Sequence, residues 1–288
     1  MKAWITWPFL VIIACIVLLA VLALKVIAAD FATYPEVSFI EGNLNPILLC
    51  AFAVLLWLWA AVKAWRTPDW PWLGSLLFAL SWLVFPLLKL VNLYWINWSA
   101  DTFLEHVDGL IWGGRSLAAY VRYEDYPWLA DVLAACYFAF YFIVLAGVAV
   151  YTWRRHSTAA KAFFNGLMFV YLLGFIGYFA LPAAGPVFYH LPDQGGGGVV
   201  ARFVIETVKQ GVTGMDVFPS LHTAITVFIV AFFYLDGYRK TAWCLLPVML
   251  GLIAATIFLR YHYGVDVLAG LLLAAVALWW FSPKRLLD

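Results

Sequence analysis

The sequence predicts an all-α integral membrane protein with about eight transmembrane helices. Of its 288 residues, 66% are hydrophobic and 11% are charged, whereas a soluble domain carries roughly 25% charged residues. Its sixteen tryptophans and fifteen tyrosines suit a protein with an aromatic belt at each membrane interface. The formal net charge of +1 argues neither for nor against nucleic acid. We expect the bilayer, and not nucleic acid, to be the partner.

Eight apolar runs are long enough to cross a bilayer, which takes about 20 mostly apolar residues. The first run follows Lys2 and resembles a signal peptide. It is longer than the roughly 7–15 apolar residues of such a peptide, so we expect a membrane helix. The eight runs lie near residues 3–28, 44–65, 70–95, 127–152, 162–182, 219–235, 241–259 and 263–281.

The charges of the loops predict the orientation of these helices. If the N-terminus is cytoplasmic, ten of the seventeen Lys and Arg residues fall on inside segments and five on outside segments. Because an excess of basic residues marks cytoplasmic loops, we expect both termini in the cytoplasm. The ten inside residues are Lys2, Lys63, Arg66, Arg154, Arg155, Lys161, Arg239, Lys240, Lys284 and Arg285.

Two of the outer segments are long enough to have roles of their own. Residues 99–126 mix charged and aromatic side chains around short apolar clusters, which is typical of an interfacial helix in the headgroup plane. A solvated connector has a similar pattern. Residues 183–217 contain four successive glycines from Gly195 to Gly198, which indicate a hinge or a lid.

The cysteine pattern indicates neither a disulfide framework nor a zinc site. Cys15, Cys50, Cys136 and Cys244 each lie in an apolar stretch, and none belongs to a CxxC pair, so we expect small buried thiols. None of the candidate site residues has a convincing metal-ligand spacing. We therefore expect neither a metal nor another cofactor.

The candidate chemistry lies at the starts of two apolar helices. His262 and Asp266 are four residues apart, so their side chains share one helix face. Asp266 can accept a hydrogen bond from one imidazole nitrogen, which fixes the tautomer and leaves the other nitrogen free as nucleophile or base. His222 follows Pro219 at the start of the other helix, where proline is favoured.

An anion site is predicted beside these histidines. Free backbone N–H groups at a helix start, here that of Leu221, bind anions with the help of the helix dipole. Ser220 can add a hydroxyl donor, and the donor fork of Arg260 matches phosphate oxygens. Two histidines, an arginine and an aspartate are the groups that phosphoryl transfer without a metal requires.

Each residue also has a purely structural explanation. A single histidine at a helix end is more often an interfacial polar residue than a catalyst. Asp266 could simply accept a hydrogen bond from His262 without any catalytic role, and Arg260 could be an interfacial anchor. The convergence of four such residues on one side of adjacent helices favours function, because ionisable groups are costly to hold there.

The two motifs resemble those of the type 2 phosphatidic acid phosphatase superfamily, over roughly residues 100–282. The segment Pro219-Ser220-Leu221-His222 is similar to its second motif, and Arg260 to Asp266 is similar to its third. The Ser-Leu-His form, and the His-Tyr and Asp-Val pairs of the third motif, look most like the inositol phosphorylceramide synthase branch. The proline-containing element from Leu181 to Pro186 also resembles that branch.

The resemblance implies a fold and a set of roles. It implies a six-helix catalytic core over residues 67–288, preceded by two transmembrane helices within residues 1–66. His262 would attack phosphorus and form a phosphohistidine, Asp266 would orient it, and His222 would protonate the leaving oxygen. The phosphoryl oxygens would be held by Arg260, Ser220 and backbone amides such as that of Leu221.

The sequence departs from the superfamily's pattern at its first motif, which contains a lysine and an Arg-Pro pair. The matching region, Leu181 to Asp193, has neither Lys nor Arg, and only Tyr261 separates Arg260 from His262 where five residues are usual. Lys89 could supply the missing charge, although snorkelling to the outer interface is the favoured explanation for this residue. Other side chains that could supply the charge or line the entrance are Arg115, Arg202, Lys209, Tyr189 and His190.

We therefore predict a metal-independent lipid phosphatase or phosphotransferase that acts on a phosphate-bearing headgroup. Its site would face the periplasm of a bacterium or a lumen in a eukaryote. Water as the acceptor would make it a hydrolase, and a hydroxyl acceptor would make it a transferase like inositol phosphorylceramide synthase. A lipid flippase or transporter is the rival of another class, although we find no inverted repeat of the kind transporters show. The lipid, the acceptor and the oligomeric state are left open.

Overall fold

The computed structural model describes residues 55, 59, 74–82, 85, 99–193, 195–211 and 215–283. The chain divides into two compact units, Met1–Asn97 and Trp98–Asp288. In the first unit the described residues are helical. The first two predicted helices lie almost entirely outside the described residues, as does Lys89, and the predicted domain boundary after residue 66 stays a prediction.

The described part of the second unit is built from helices and contains no strand. A single helical turn, Pro186–Tyr189, and two 3-10 turns, Leu117–Tyr120 and Tyr123–Asp125, lie between the longer helices. The longer helices are α1 (Asp101–Trp112), α2 (Pro127–Trp153), α3 (Thr158–Ala180), α4 (Val199–Gly211), α5 (Leu221–Leu235), α6 (Arg239–Phe258) and α7 (Gly264–Phe281).

Four helices of the described residues, α2, α3, α6 and α7, are long and apolar enough to cross a membrane. Each coincides with a predicted span, and the predicted span 219–235 corresponds to α5, an apolar helix of 15 residues. The prediction of an all-helical membrane protein is confirmed for this part of the chain. The total of eight transmembrane helices stays a prediction.

Helix α5 lies at the centre of the bundle and packs against α2, α3, α6 and α7. Its aromatic side chains Phe228 and Phe232 are fully buried, which explains why the helix is apolar on all sides. At about 22 Å, it is shorter than the roughly 30 Å hydrocarbon core. Because its neighbours surround it, α5 does not need to reach both lipid interfaces by itself.

Glycines allow the close packing around the start of α5. A Cβ on Gly174 of α3 would lie 2.3 Å from the Leu221 side chain, and one on Gly270 of α7 would lie 2.5 Å from the Ser220 carbonyl oxygen. Both distances are shorter than van der Waals contact. Glycine backbone therefore packs closely from two sides against the residues that flank His222, on the Leu221 side chain and on the Ser220 backbone.

Polar side chains collect at opposite ends of this bundle. At one end, Arg154 after α2 binds the carboxylate of Asp236 after α5, and the Tyr151 hydroxyl donates to the same carboxylate over 3.0 Å. The other end contains the starts of α2, α5 and α7 and the ends of α3 and α6. Both candidate histidines lie at that second end.

The segment 99–126, predicted to contain an interfacial helix, begins with α1. This helix buries two of its three acids, Asp101 and Asp108, and exposes Phe103, Leu110 and Ile111. The pattern is the reverse of a surface helix in a soluble protein, whose apolar face points inward. Exposed apolar residues beside membrane spans are consistent with contact with lipid.

We expect Gly270→Ala to lower the stability of the bundle by about 1–3 kcal/mol, the usual cost of overpacking. The added methyl group meets the backbone of α5, which can yield only if α5 and α7 separate. Unfolding in a denaturing detergent titration measures the change. Gly109→Ala in α1 is the matched control, since its methyl group would have ordinary contacts of 3.4 Å or more. Equal stability of Gly270→Ala and wild type would contradict the packing described above.

Candidate active site

The structure brings His222 and His262 together at one end of the bundle. His222 lies in the first turn of α5, and His262 lies in the loop between α6 and α7. Their ring centroids are 6.1 Å apart and the ring planes are inclined by 64°. His262 is 4% exposed, whereas His222 is only partly buried. Two residues that are 40 positions apart in the sequence thus form one site.

Aromatic rings of α2 hold the imidazole of His222. Tyr137 stacks on it with a centroid distance of 4.7 Å, and Phe140 contacts it at 4.5 Å with a 51° tilt. Tyr137 in turn contacts Tyr261, which precedes His262, at 5.1 Å. These contacts restrict rotation of the His222 ring and connect both histidines through one aromatic row.

His262 and Asp266 lie side by side, but their hydrogen-bonding groups are not fully used. Nδ1 of His262 is 3.5 Å from Oδ2 of Asp266, and that Oδ2 accepts a hydrogen bond from the Tyr263 backbone N–H over 2.8 Å. His262 Nδ1 and Asp266 Oδ1 have no hydrogen-bond partner among the described residues. Nδ1 is thus on the Asp266 side of the ring, which leaves Nε2 as the nitrogen available for chemistry.

Asp101, at the start of α1, ties the two loops of the site together. Its buried carboxylate accepts hydrogen bonds from the backbone N–H groups of Ala184 and Gly185, over 2.7 and 2.8 Å, and from the Tyr263 hydroxyl over 2.9 Å. Gly185 has a φ of +92°, and a Cβ there would lie 2.5 Å from the Tyr261 carbonyl oxygen. The proline-containing element from Leu181 to Pro186 therefore packs directly against the loop that contains His262.

Asp108, two turns further along α1, binds the start of α7. Its carboxylate accepts hydrogen bonds from the N–H groups of Val265 and Leu117, each over 2.8 Å, and from the Trp112 indole over 3.1 Å. With Asp266 bound to the Tyr263 N–H, two carboxylates occupy the positive end of the α7 dipole. This helix start therefore has little capacity left for an anionic ligand.

The start of α5 is different, because a serine, and not a carboxylate, caps it in the described part of the chain. The N–H groups of Leu221 and His222 donate no backbone hydrogen bond within the described part of the chain. The Ser220 hydroxyl is fully buried, accepts from the Thr223 N–H over 3.4 Å and donates to the Thr223 hydroxyl over 3.1 Å. The predicted anion site at Leu221 is thus open, whereas Ser220 is committed to capping its own helix.

Arg260, the predicted phosphate ligand, is buried and already paired. Its Nη1 and Nη2 atoms each donate to one carboxylate oxygen of Glu124 over 2.9 Å. Its guanidinium carbon lies 5.0 Å from the ring centre of Tyr123. The Nε–H is buried and has no hydrogen-bond partner among the described residues. One edge of the guanidinium is therefore occupied, and the Nε–H donor is unused.

The other basic residues proposed for the missing charge are engaged elsewhere. Arg202 and Lys209 of α4 bind Asp193 over 2.8–2.9 Å, and Arg115 lies over the ring of Tyr120 at 5.2 Å. The two residues proposed to line the entrance contact α1. His190 Nε2 lies 3.3 Å from Glu105, and the hydroxyls of Tyr189 and Thr102 are 2.6 Å apart.

Asp193 connects α4 to the neighbourhood of Arg260. Besides Arg202 and Lys209, it accepts hydrogen bonds from the Gly195 N–H and from the Tyr123 hydroxyl. Burial by itself raises the pKa of this carboxyl, but the hydrogen bonds from Lys209, Tyr123, Gly195 and Arg202 outweigh it and hold the pKa well below its usual range. Asp193 is therefore an ionised anchor, and not a proton donor.

Sequence reasoning missed four residues of this site: Asp101, Asp108, Tyr137 and Glu124. The seven-residue spacing of Asp101 and Asp108 places both on one helix face, a signal that could have found them. Glu124 has no such signal, since it meets Arg260 across 136 residues of sequence. Among the described residues no group of three or more His, Cys, Asp or Glu side chains is arranged to hold a metal ion.

The comparisons with known proteins identify a family. A family model described as the PAP2 superfamily matches residues 105–280, which is more than half of the chain and includes both histidines. Neither the curated proteins nor the solved structures provide a significant match. The matched range begins within α1 and ends within α7, so it covers the helices that position the site.

We expect Asp101→Asn to destabilise the protein by about 1–3 kcal/mol, the cost of leaving buried polar groups without partners. An amide has one acceptor oxygen, whereas the carboxylate serves two backbone N–H groups and the Tyr263 hydroxyl. Detergent unfolding curves measure the loss. Asp125→Asn is the control, because that carboxylate is largely exposed, and a smaller loss for Asp101→Asn than for the control would contradict this role.

We expect the segment containing residues 195–209 to loosen in acid. The folded-state pKa of Asp193 is lower than its unfolded value of about 3.9. Its contribution to stability is therefore present above pH 4 and is lost as the pH falls through the folded pKa. Hydrogen–deuterium exchange of peptides from this segment measures the opening. Asp193→Asn should already be open at pH 7, and protection equal to that of wild type would refute the anchor.

Proposed function

Because the chain belongs to the PAP2 superfamily, we propose that it is a lipid phosphatase or phosphotransferase in which His262 and His222 carry the reaction. Members of this superfamily are generally phosphatases or phosphotransferases, so membership supports an enzyme with a phosphatase-like, lipid-related function. The observation that carries the proposal is the meeting of His222 and His262, 6.1 Å apart, beside an open helix start.

In the first step, Nε2 of His262 attacks the phosphorus of the substrate. The Nε2–P bond forms while the bond from phosphorus to the lipid oxygen breaks, and protonated His222 transfers its proton to that oxygen. The imidazole of His262 becomes cationic when it is phosphorylated. The nearby carboxylate of Asp266, 3.5 Å away with one oxygen unpaired, stabilises that charge.

In the second step, an acceptor hydroxyl attacks the phosphohistidine. The new O–P bond forms as the Nε2–P bond breaks, and the acceptor's proton passes to neutral His222, which restores both histidines. Water as acceptor releases phosphate, whereas a lipid or polyol hydroxyl yields a new phosphoester. The same two histidines serve both outcomes, so the acceptor that reaches the site decides between hydrolase and transferase.

The charge on the transferring group is stabilised by donors that have no hydrogen-bond partner among the described residues. These are the backbone N–H groups of Leu221 and His222 and the Nε–H of Arg260. Donors that are already fixed in position need no reorganisation when the charge redistributes. We propose Lys89 as a further phosphate ligand on the basis of the sequence alone. We assign Ser220 to capping α5, so that it supports the N–H groups of Leu221 and His222 without binding the phosphoryl group itself.

The site faces the outer side of the membrane in this proposal. The basic residues Arg154, Arg155 and Lys161 lie at the end of α2 and the start of α3, opposite the histidines, and Arg239 begins α6 at the same end. Because basic residues mark the cytoplasmic side, the histidines lie toward the periplasm or a lumen. The cytoplasmic position of both termini is part of the same proposal.

A lipid, and not a soluble phosphate ester, is the substrate that this setting favours. The site lies at the ends of helices that can span a membrane, and the adjoining α1 exposes Phe103, Leu110 and Ile111. A substrate with acyl chains can remain in the bilayer while its headgroup reaches the histidines. The scheme needs no metal, because His222 and the fixed donors supply the acid and the charge stabilisation.

A transferase resembling inositol phosphorylceramide synthase is the second candidate. The Ser-Leu-His form of the second motif and the His-Tyr and Asp-Val pairs of the third favour it. The lack of Lys and Arg from Leu181 to Asp193 also separates this chain from the usual phosphatase pattern. A transferase yields a new phospholipid only when a hydroxyl acceptor is supplied, which distinguishes the two candidates directly.

We expect His262→Ala to lower turnover by at least about 1,000-fold, since no other group replaces the nucleophile. The purified protein in EDTA-containing detergent is given phosphatidic acid, a polyprenyl diphosphate or phosphatidylinositol, each with and without diacylglycerol or ceramide. Phosphate release and new lipid are both measured. His156→Ala, at the opposite end of the bundle, is the matched control and should retain activity.

Three results would contradict parts of this scheme. Activity of His262→Ala within about tenfold of wild type would remove His262 as the nucleophile. Loss of activity in EDTA that one metal restores would contradict the metal-free reaction. Lipid flux in liposomes that survives His262→Ala, without turnover of any substrate, would favour a transporter instead.

A further inference from the structure

Glu124 holds Arg260 by the far end of its guanidinium group. The two hydrogen bonds run from Nη1 and Nη2 to the two carboxylate oxygens, each over 2.9 Å. The side chains are only 6% and 10% exposed. A bidentate pair of this kind fixes both the position and the plane of the guanidinium.

Two further contacts and the backbone conformation restrict Arg260. The ring of Tyr123 lies under its guanidinium at 5.0 Å, and the Tyr123 hydroxyl is bound to Asp193. The Arg260 carbonyl accepts a hydrogen bond from the Val187 N–H over 2.8 Å. Its backbone has a φ of +62°, a conformation that a non-glycine residue adopts only when its surroundings impose it. Arg260 is therefore held in one orientation.

This way of holding Arg260 leaves its other edge free. A guanidinium has five N–H donors, and the pair with Glu124 uses one on each Nη. The remaining edge consists of Nε–H and the adjacent outer N–H, which together match two oxygens of a second oxyanion. The Nε–H is buried without a partner among the described residues, which is costly unless a ligand binds it.

Other unused polar atoms lie close in sequence to this edge. The Tyr261 hydroxyl, His262 Nδ1 and Asp266 Oδ1 are also buried without hydrogen-bond partners among the described residues. Tyr261 and His262 follow Arg260 directly. Two of these atoms, His262 Nδ1 and Asp266 Oδ1, belong to the His262–Asp266 pair. The Arg260 Nε–H and the Tyr261 hydroxyl are donors, which an oxyanion can satisfy.

We propose that Glu124 is a positioning residue, which holds Arg260 so that its Nε edge binds the phosphoryl group transferred by His262. The inference rests on the proposed function, since it assigns a role within the same site. Glu124 itself does not touch the substrate. It acts through Arg260, and it brings the 3-10 turn Tyr123–Asp125 into the site although neither motif includes it.

The test compares Glu124→Gln and Glu124→Asp with Asp125→Asn. Asp125 is the neighbouring acid, and its side chain is 57% exposed beside Arg122, so its substitution controls for loss of one negative charge. The readouts are the Kd of inorganic phosphate by calorimetry, and the KM and kcat for the lipid phosphate that wild type uses. Thermal unfolding in detergent shows whether each variant is folded.

We expect Glu124→Gln to weaken phosphate binding and raise KM by about tenfold or more, because a guanidinium shifted by about 1 Å loses its alignment. Glu124→Asp should recover part of the loss, and Asp125→Asn should match wild type. In an Arg260→Ala background, Glu124→Gln should add little. An effect of Glu124→Gln that is undiminished in that background would overturn the inference.

A second variant, Gly196→Ala, keeps the charges of both Glu124 and Arg260. A Cβ on Gly196 would lie 2.5 Å from Cβ and Cγ of Glu124, so Gly196→Ala should displace the carboxylate and weaken phosphate binding in the same direction. Tighter phosphate binding by Glu124→Gln would mean that Glu124 blocks Arg260, contrary to the proposal. Lower stability with unchanged phosphate Kd would reduce Glu124 to a structural residue.

The outcomes separate this inference from the function on which it rests. If wild type turns over a lipid phosphate and Glu124→Gln binds and turns over equally well, only the role of Glu124 fails. If wild type neither binds inorganic phosphate nor turns over any lipid phosphate, the proposed function fails together with it. If wild type binds phosphate but no substrate is found, the phosphate Kd of the variants still tests the role of Glu124.

Discussion

Buried carboxylates at one end of the bundle hold the backbone on which the site is built. Asp101, Asp108 and Asp266 accept hydrogen bonds from N–H groups of the loops around the start of α7. Within a membrane protein such N–H groups cannot rely on water, and each one left without a partner is costly. The irregular loops that present the histidines are possible because side chains of α1 and α7 satisfy them.

The capping groups at the starts of α5 and α7 differ, and so do the roles that we propose for the two helix starts. The dipole of α7 is neutralised by Asp108 and Asp266, so that helix start positions His262 and does not attract a ligand. Among the described residues no carboxylate caps the start of α5, and the N–H groups of Leu221 and His222 donate no backbone hydrogen bond. In the proposed reaction, the anionic phosphoryl group would therefore meet His222 and the start of α5, with His262 on the other side.

The side chains of the site are tightly packed, yet several of their buried polar atoms lack hydrogen-bond partners among the described residues. Glycines bring α3 and α7 against the residues around His222, aromatic rings fix its imidazole, and Glu124 fixes Arg260. Yet Arg260 Nε, His262 Nδ1 and Asp266 Oδ1 lack hydrogen-bond partners among the described residues. A buried polar atom without a partner costs stability. In the proposed reaction, the binding of a charged group would offset that cost.

The sequence by itself determined the class of protein and singled out the candidate reactive residues. Apolar runs of spanning length are a local property, and so is the four-residue spacing of His262 and Asp266, so both could be recognised from the chain alone. Arg260 and His222 were recognisable because each lies beside a helix start. The seven-residue spacing of Asp101 and Asp108 was visible too, but nothing local tells a buried cap from a solvated face.

Only the tertiary structure decided how those residues are used. It paired Arg260 with Glu124, 136 residues away, and it placed Tyr137 on His222. It also committed Ser220 to its own helix and bound Arg202 and Lys209 to Asp193. Hydrogen-bond partners of this kind depend on which helices pack together, and sequence spacing carries no information on contacts between distant segments.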